Sequence, residues 1–295
     1  AAITSEWALV LAAERLLEVE VPERAEYIRV LMAELQRIAS HLIWFGAFSL
    51  DVGATTAFLY AWRERERLLD IFESVTGARM LYNYFRIGGV RNDLTPEFEQ
   101  RVLKFLDDVE DRLHEYHQLV TGNRIFETRT KGIGILSAED AIRWGASGPV
   151  LRGSGVAYDI RKAQPYSVYD RFEFDIPVGK TGDCYDRYLV RLLEMRESAR
   201  IVRQALAGLP EGDFLGKTPR RLKLNGDTYA RVESPRGEVG CYLVGDGTDQ
   251  AYRCKWRSPC FTHLMLLGPL GRGAMMADMV AIIGSLDIVM GEVDR

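Results

Sequence analysis

A long buried helix is predicted by residues 22–53, which read PERAEYIRVLMAELQRIASHLIWFGAFSLDVG. Pro22 is well placed to begin it, because proline is tolerated in the first turn of a helix. One face is apolar at helical spacing and consists of Ile28, Leu31, Leu35, Ile38 and Leu42. The opposite side is polar and carries Glu26, Arg29, Arg37 and Ser40. The segment therefore packs one side against a core.

Asp51 interrupts an apolar run that continues past this helix. Between Arg37 and Arg63 lie 25 residues whose only groups that charge near neutrality are His41 and Asp51. That length is enough for a membrane-spanning helix. An acid near the midpoint would make such a span costly. The pattern therefore favours two buried helices that meet near Asp51.

Two interpretations of Asp51 remain open from the residues alone. A buried carboxyl has a raised pKa and can exchange protons near neutrality, which would suit a functional site. Aspartate is also a preferred N-cap, so Asp51 would equally suit the start of a helix near Val52.

The end of the chain, from Ala277 to Arg295, is an apolar helical run with Asp287 in its middle. Chain ends usually fray into solvent, so an apolar end is expected to pack against the rest of the protein. Asp287 is expected to be buried there, either bonded to neighbouring backbone N–H groups or serving a function.

The remaining pattern predicts a mainly α fold with a small antiparallel β portion, formed by one domain over residues 1–295. Its expected parts are a helical core at 1–121 and 182–208, an irregular segment at 122–181, a small sheet at 228–257 and a C-terminal helix at 274–290. Within the sheet, Ser234 to Glu238 reads as a hairpin turn that carries Arg236.

Composition excludes several classes of function. The formal net charge is −4, and cations are interleaved with acids, so no footprint for nucleic acid is present. Four cysteines without a Cys-x-x-Cys pair favour a reducing, cytoplasmic setting. His114 and His117 are three residues apart, but no third ligand accompanies them, so no metal is expected. The segment Arg152-Gly-Ser-Gly155 lacks the spacing of a nucleotide-binding loop.

Taken together, nine segments resemble one family, and they occur in order along nearly the whole chain. They are Pro22–Arg29, Glu34–Leu42, Leu50–Ala54, Arg63–Glu66, Tyr84–Val90, Leu151–Gly155, Asp159–Lys162, Glu233–Gly240 and Gly284–Arg295. The family is that of the 49 kDa, or D-type, subunit of NADH-quinone oxidoreductase (respiratory complex I), including its H-type counterpart in the photosynthetic form of the complex.

The resemblance implies a fold like that of the large subunit of nickel-iron hydrogenases. In hydrogenases, thiolates hold the metal near the C-terminus, whereas this chain has Val289 and Glu292 at those positions and Arg295 at that of a histidine. Valine cannot replace a thiolate ligand. The old metal pocket is therefore expected to hold quinone and no metal.

The resemblance also implies the site residues. Asp51 matches a family aspartate thought to change protonation when quinone is reduced, and is expected to be catalytic. The quinone pocket is expected to include His41, Arg236, Asp287 and Val289, while Asp294 and Arg295 are expected to face a partner. The family's headgroup-binding histidine and tyrosine lie N-terminal to the first residue here and are expected to be absent.

By this resemblance the chain is the quinone-site subunit of a membrane-associated NAD(P)H- or ferredoxin-quinone oxidoreductase that couples quinone reduction to proton translocation. Its expected partners are an iron–sulfur subunit with the terminal cluster, membrane-arm subunits and other peripheral-arm subunits. It is expected on the cytoplasmic face of the membrane and to bind no metal, nucleotide or nucleic acid. The alternatives are a metal-bearing membrane-bound hydrogenase large subunit and a redox-silent scaffold subunit.

Overall fold

A computed structural model describes residues 1–294. In chain order the helices are α1 (Ala2–Leu17), α2 (Glu23–Asp51), α3 (Thr55–Thr76), α4 (Phe98–Tyr116), α5 (Arg124–Thr130), α6 (Ala138–Arg143), α7 (Gly148–Gly153), α8 (Ile160–Ala163), α9 (Cys184–Ala207), α10 (Pro259–Met265), α11 (Leu267–Gly271), α12 (Met276–Leu286) and α13 (Met290–Asp294). The strands are β1 (Phe85–Arg86), β2 (Gly89–Val90), β3 (Asn225–Ser234), β4 (Gly237–Asp246) and β5 (Ala251–Arg257). A π-helical turn spans His117–Thr121, and a 3₁₀ turn spans Tyr169–Arg171. The predicted mainly α class with a small antiparallel β portion is confirmed.

Helix α2 forms the centre of the helical core. Pro22 precedes it as predicted, and α2 and α3 meet just after Asp51. Asp51 is the last residue of α2, and Ala54 is the residue that precedes α3, so the N-cap interpretation of Asp51 is wrong. Both sides of α2 are buried, including the polar side with Arg29 and Arg37. Among the described helices, none has the length and apolarity that a membrane crossing requires.

The three-stranded sheet has the order β3-β4-β5 and is antiparallel throughout. Its first hairpin turns through Pro235 and Arg236, because Ser234 pairs with Gly237. Gly237 has a φ of 137°, and a Cβ there would lie 2.4 Å from Ser147 Oγ. Glycine is therefore required where the hairpin tip touches the start of α7, and this contact fixes the position of Arg236.

The apolar C-terminal run is not one helix. The expected helix over 274–290 is wrong at its end, because α12 stops at Leu286 and Asp287 adopts the left-handed conformation with φ 56° and ψ 51°. Aspartate is among the few residues that visit this region readily, so its position ends the helix in spite of the apolar sequence. The chain then turns, and Val289 immediately precedes α13.

The segment expected to be irregular, 122–181, contains the short helices α5 to α8 separated by loops. The side chains of Asn123, Ser137 and Asp159 cap three of them by accepting hydrogen bonds from backbone N–H groups. Two apolar clusters lie beneath these elements. The larger gathers α1 to α4, α9 and the sheet, and the smaller joins α6 and α7 to α11 and α12.

Candidate functional site

A cleft of about 460 Å³ lies between the end of α2, the β3–β4 hairpin tip and the C-terminal helices. It is lined by Ile43, Trp44, Ala47, Phe48, Asp51, Arg236, Val280, Ile283, Gly284, Asp287, Ile288 and Val289. Four of the predicted site residues, Asp51, Arg236, Asp287 and Val289, are thus brought to one cavity by elements far apart in the sequence.

Helix α2 supplies one wall of the cleft. Trp44, Phe48 and Asp51 recur at helical spacing and face the same side. The rings of Trp44 and Phe48 stack with centroids 5.1 Å apart, and Trp44 Nε1 donates a hydrogen bond of 2.7 Å to Gly284 O. A Cβ at Gly284 would lie 2.7 Å from the Phe48 ring, so only glycine allows α12 to approach α2 this closely. The wall is therefore aromatic and firmly held.

The inner end of the cleft is polar. Arg236 Nε lies 3.3 Å from Asp287 Oδ2 and 4.0 Å from Glu292 Oε2. Burial would lower the pKa of Arg236, but Asp287 and Glu292 raise it above its usual value. The ion pair lacks hydrogen-bond geometry, and neither Arg236 Nη1 nor Asp287 Oδ2 has a hydrogen-bond partner within residues 1–294. Both groups therefore retain unused bonding capacity.

Arg191 lies behind this wall and was not identified from the sequence. Its guanidinium is fully buried, with its carbon 4.3 Å from the centroid of the Trp44 ring. Nη1 donates to Ser285 O at 3.0 Å, whereas Nε and Nη2 have no hydrogen-bond partner among the described residues. Burial lowers the pKa of Arg191 to about 10, and the charge of Asp287 opposes the shift. Arg191 therefore adds a second positive charge near Asp287.

Asp51 lies at the outer rim of the cleft and is exposed. The expectation that it would be buried is therefore wrong. It is the last residue of α2, and its Oδ2 lies 3.7 Å from the position that a Cβ on Gly284 would take. Within the described part of the chain, its carboxylate forms no hydrogen bond or ion pair. It borders the cavity as an unpaired carboxyl group.

His41 is not among the residues that line the cleft. It is fully buried one turn of α2 before Trp44, and its Nε2 lies 2.8 Å from Glu194 Oε2. Burial lowers the pKa of His41, although Glu194 opposes this effect. The neutral ring therefore donates its Nε2–H to the carboxylate, and Nδ1 is left without a partner among residues 1–294.

His41 belongs to a network of buried charges that links α2, α7, α8, α9 and β3. Arg152 bonds both Glu194 and Glu233 at 2.8 Å, and Arg161 bonds Glu34 at 3.0 Å. Burial would raise the pKa of Glu34, but Arg161 and Arg37, with hydrogen bonds from Tyr169 and Ser198, lower it to about 2. The members of this network are Glu34, Arg37, His41, Arg152, Asp159, Arg161, Tyr169, Glu194, Ser198 and Glu233.

The C-terminal positions were also expected to take part in the site or its interface. Val289 is partly exposed and lines the cleft, and its N–H lies 3.5 Å from Cys260 Sγ. Asp294 ends α13 and is exposed, whereas Arg295, also expected at a partner interface, lies outside the described residues. Over 1–294, no group of three or more His, Cys, Asp or Glu could hold a metal ion. His114 and His117 bond instead to Gln118 and Thr121.

Comparison with known proteins gives one consistent result. The family model of the respiratory-chain NADH dehydrogenase 49 kDa subunit matches residues 51–225 and 222–295. The chain belongs to this family. The D-type subunit of the NADH-quinone oxidoreductase of Desulforamulus reducens is 52% identical over 289 residues, which cover 98% of this chain and 79% of that protein. A D-type subunit of Symbiobacterium thermophilum is 53% identical over 313 residues, covering 100% and 82%. That of Geobacillus kaustophilus is 49% identical over 295 residues, covering 99% and 80%.

As a member of the 49 kDa subunit family, the chain is a subunit of an oxidoreductase complex. The structure also shows where the sequence segments shared with this family lie. Seven residues of the buried network lie in the segments that carry it, namely Glu34, Arg37, His41, Arg152, Asp159, Arg161 and Glu233. Those segments therefore include the charged interior of this family fold as well as residues of the cleft.

Proposed function

We propose that quinone is reduced in the cleft between α2, the hairpin tip and the C-terminal helices. One observation carries this proposal. Asp51, Arg236, Asp287 and Val289 all line one cavity, whose wall also contains aromatic and aliphatic side chains. The relatives are named as subunits of NADH-quinone oxidoreductases, which supports quinone as the electron acceptor.

The chemistry of the lining suits a quinone headgroup. A quinone is a flat, apolar ring with two carbonyl oxygens, which need hydrogen-bond donors once they leave water. The indole of Trp44 and the side chains of Ile283 and Ile288 offer an apolar surface for the ring. Arg236 Nη1 is an unused donor at the inner end and would bind a carbonyl oxygen as its charge develops during reduction.

Reduction of quinone to quinol takes two electrons and two protons. An iron–sulfur cluster on a partner subunit would supply the electrons. Asp51 is accessible both to the cleft and to solvent, so its carboxyl can pass a proton inward and take another from water. Asp287 sits between Arg236 and the charge of Arg191 and would hold the orientation of Arg236.

In this proposal the chain lies in the peripheral arm, at the cytoplasmic face of the membrane. Its partners are the iron–sulfur subunit with the terminal cluster, the membrane-arm subunits and the other peripheral subunits. The charge change at Asp51 on quinone reduction is passed to the membrane arm and drives proton translocation. The electron donor is NADH, NADPH or ferredoxin.

The test is Asp51→Asn in the complete complex, with Asp111→Asn as the matched control. Asp111 is also exposed, but it lies on α4 and does not line the cleft. We expect the Asp51 variant to assemble and to lose about 90% or more of quinone reduction and proton translocation, because general acid–base groups contribute about 10²–10⁴-fold. The Asp111 variant should behave as the native complex does.

Unchanged quinone reduction and translocation in an assembled Asp51→Asn complex would refute the proposal and favour a redox-silent scaffold. Nickel bound in stoichiometric amount to the purified complex through this subunit, detected by elemental analysis, would instead favour the hydrogenase alternative.

A further inference from the structure

A second concave surface differs from the cleft in its composition and charge. It is a groove of about 640 Å³ formed by α1, the β1–β2 hairpin and the loop before β3. Its lining consists of Glu6, Leu9, Val10, Asn83, Phe85, Arg86, Ile87, Arg91, Leu215, Thr218, Pro219, Arg220 and Leu222. We call it the basic groove. Its lining combines apolar side chains with three arginines.

The cations of the basic groove are not neutralised by the described residues of this chain. Arg86, Arg91 and Arg220 line it, and none of the three forms an ion pair with any residue in 1–294. The same loop adds three more exposed cations without ion pairs to the described residues, namely Lys217, Arg221 and Lys223. The chain as a whole carries a net charge of −4, so this concentration of positive charge is local.

Glu6 is the acid within the groove lining, and its carboxylate is already engaged. It accepts hydrogen bonds from the backbone N–H groups of Tyr84 at 3.0 Å and Phe85 at 3.2 Å. Glu6 therefore holds the β1–β2 hairpin in place. Within the part of the chain that the structure describes, it forms no ion pair with the arginines, which remain available to an outside partner.

The groove is preformed because its two sides are bonded to each other. Val90 N donates to Phe214 O at 3.0 Å, and Gly216 N donates to Gly88 O at 2.8 Å. At Gly89 a Cβ would lie 2.3 Å from Phe214 O, so the loop and the hairpin meet where no side chain fits. A partner would therefore bind without first ordering this surface, which lowers the entropic cost of binding.

We infer that the basic groove docks an acidic, partly apolar segment of another subunit of the complex. Unpaired arginines along the sides require carboxylates opposite them, and Leu9, Leu215 and Leu222 provide contacts for apolar side chains. A lipid surface fits less well, because the apolar groups line a concave surface and do not project to insert between lipids. Nucleic acid fits less well because the lining offers aliphatic side chains where bases would need stacking partners.

The first experiment reverses two charges in the complete complex with Arg91→Glu and Arg220→Glu together. The matched control is Lys104→Glu with Arg124→Glu, since both cations are exposed, form no ion pair within 1–294 and lie outside the groove. We expect the groove variant to lose its partner subunit on native electrophoresis at a salt concentration about tenfold lower than the native complex does, because like charges would then face each other. The control should keep the native salt midpoint.

Two readouts keep this inference separate from the proposed function. Circular dichroism and thermal unfolding of the variant chain must match those of the native chain, which excludes misfolding. Complexes that remain intact at low salt must reduce quinone at the native rate, because the groove shares no lining residue with the cleft. An unchanged salt midpoint for the groove variant would overturn the inference.

The second experiment places a photo-activatable cross-linker at Thr218, which lies in the groove and is exposed. Mass spectrometry of the cross-linked complex should identify one peptide of another subunit with more acids than cations. Replacing its acids by Lys should restore assembly of the Arg91→Glu, Arg220→Glu variant. A cross-link to lipid, to nucleic acid or to a basic peptide would refute the inference, as would failure of this exchange of charges.

Discussion

Two regions of this protein, the buried network and the cleft, use their charged side chains differently. In the buried network, Glu34 accepts hydrogen bonds from Arg37, Arg161, Tyr169 and Ser198. In the cleft, Asp287 Oδ2 has an ion pair with Arg236 and no hydrogen-bond partner within 1–294.

The difference separates structural charges from functional ones. A buried carboxylate with a full set of donors stabilises the fold and has nothing left for a ligand. A carboxylate or guanidinium with unused bonding capacity beside a cavity can bind a substrate. By this criterion His41 belongs with the structural group in spite of its place on α2, because Glu194 engages its Nε2 and the residue, whose Nδ1 is unused, does not line the cleft.

The largest expected effect is on stability, from Arg152→Met in the network. This change leaves Glu194 and Glu233 buried without their cation, and breaking such a pair costs about 3–5 kcal/mol. Urea unfolding should detect it. Arg196→Met removes an exposed pair with Glu110 and should cost less than about 1 kcal/mol. Equal losses in both variants would remove the distinction between the buried network and the surface.

The network should also make stability depend on pH in the acid range. The pKa of Glu34 falls from 4.5 to about 2 on folding, so its contribution is full above pH 4.5 and is lost as the pH falls towards 2. The loss is about 3 kcal/mol. Urea unfolding between pH 6 and 3 should follow this course. A Glu34→Gln variant with the native pH dependence would show that another group is responsible.

The cleft should respond in the opposite way to the same chemical change. Asp287→Asn keeps the shape and tolerates the left-handed backbone, and Glu292 still faces Arg236, so we expect a smaller loss of stability than in Arg152→Met. Quinone reduction should fall about tenfold, because Arg236 loses its orienting charge. Glu194→Gln provides the matched network variant and should unfold more readily while leaving the cleft lining intact. A large loss of stability in Asp287→Asn would contradict the comparison.

The smallest expected effect is on substrate affinity, from Val289→Ala. Removing two methyl groups from the cleft wall should raise the KM for quinone about two- to fivefold and leave kcat unchanged, because the contact is the same in the bound and reacting states. Val178→Ala, at a comparably exposed valine outside the cleft, provides the control. A change in kcat alone would place Val289 near the reacting atoms.

The sequence predicted the elements better than their surroundings. Pro22, the apolar spacing of α2 and the turn at Pro235 and Arg236 are local signals, and each was confirmed. Burial of charge was not predictable, because the paired residues are far apart in the sequence. His41 and Glu194 are separated by 153 residues, and Arg152 and Glu233 by 81. The helix end at Asp287 was missed because the apolar run before it continues as Ile288 and Val289.

For Asp51, the sequence likewise failed to predict the degree of burial. Its apolar neighbours predicted burial, but a residue at the very end of a helix can reach solvent however apolar the helix is. A spacing signal was available for the cleft, since Trp44 and Phe48 lie on the same face of α2 as Asp51 and were not used.

Because Gly284 has no side chain, α12 can approach α2 closely, and this sets the distance between Asp51 and Asp287. Nothing larger than hydrogen fits between the α12 backbone and Phe48, and a Cβ there would also stand 3.7 Å from Asp51 Oδ2. A single added methyl group would wedge the two helices apart and carry Asp287 away from Asp51. The distance between the two carboxylates that a substrate would contact is therefore set by a glycine that takes no part in the proton or electron transfer itself.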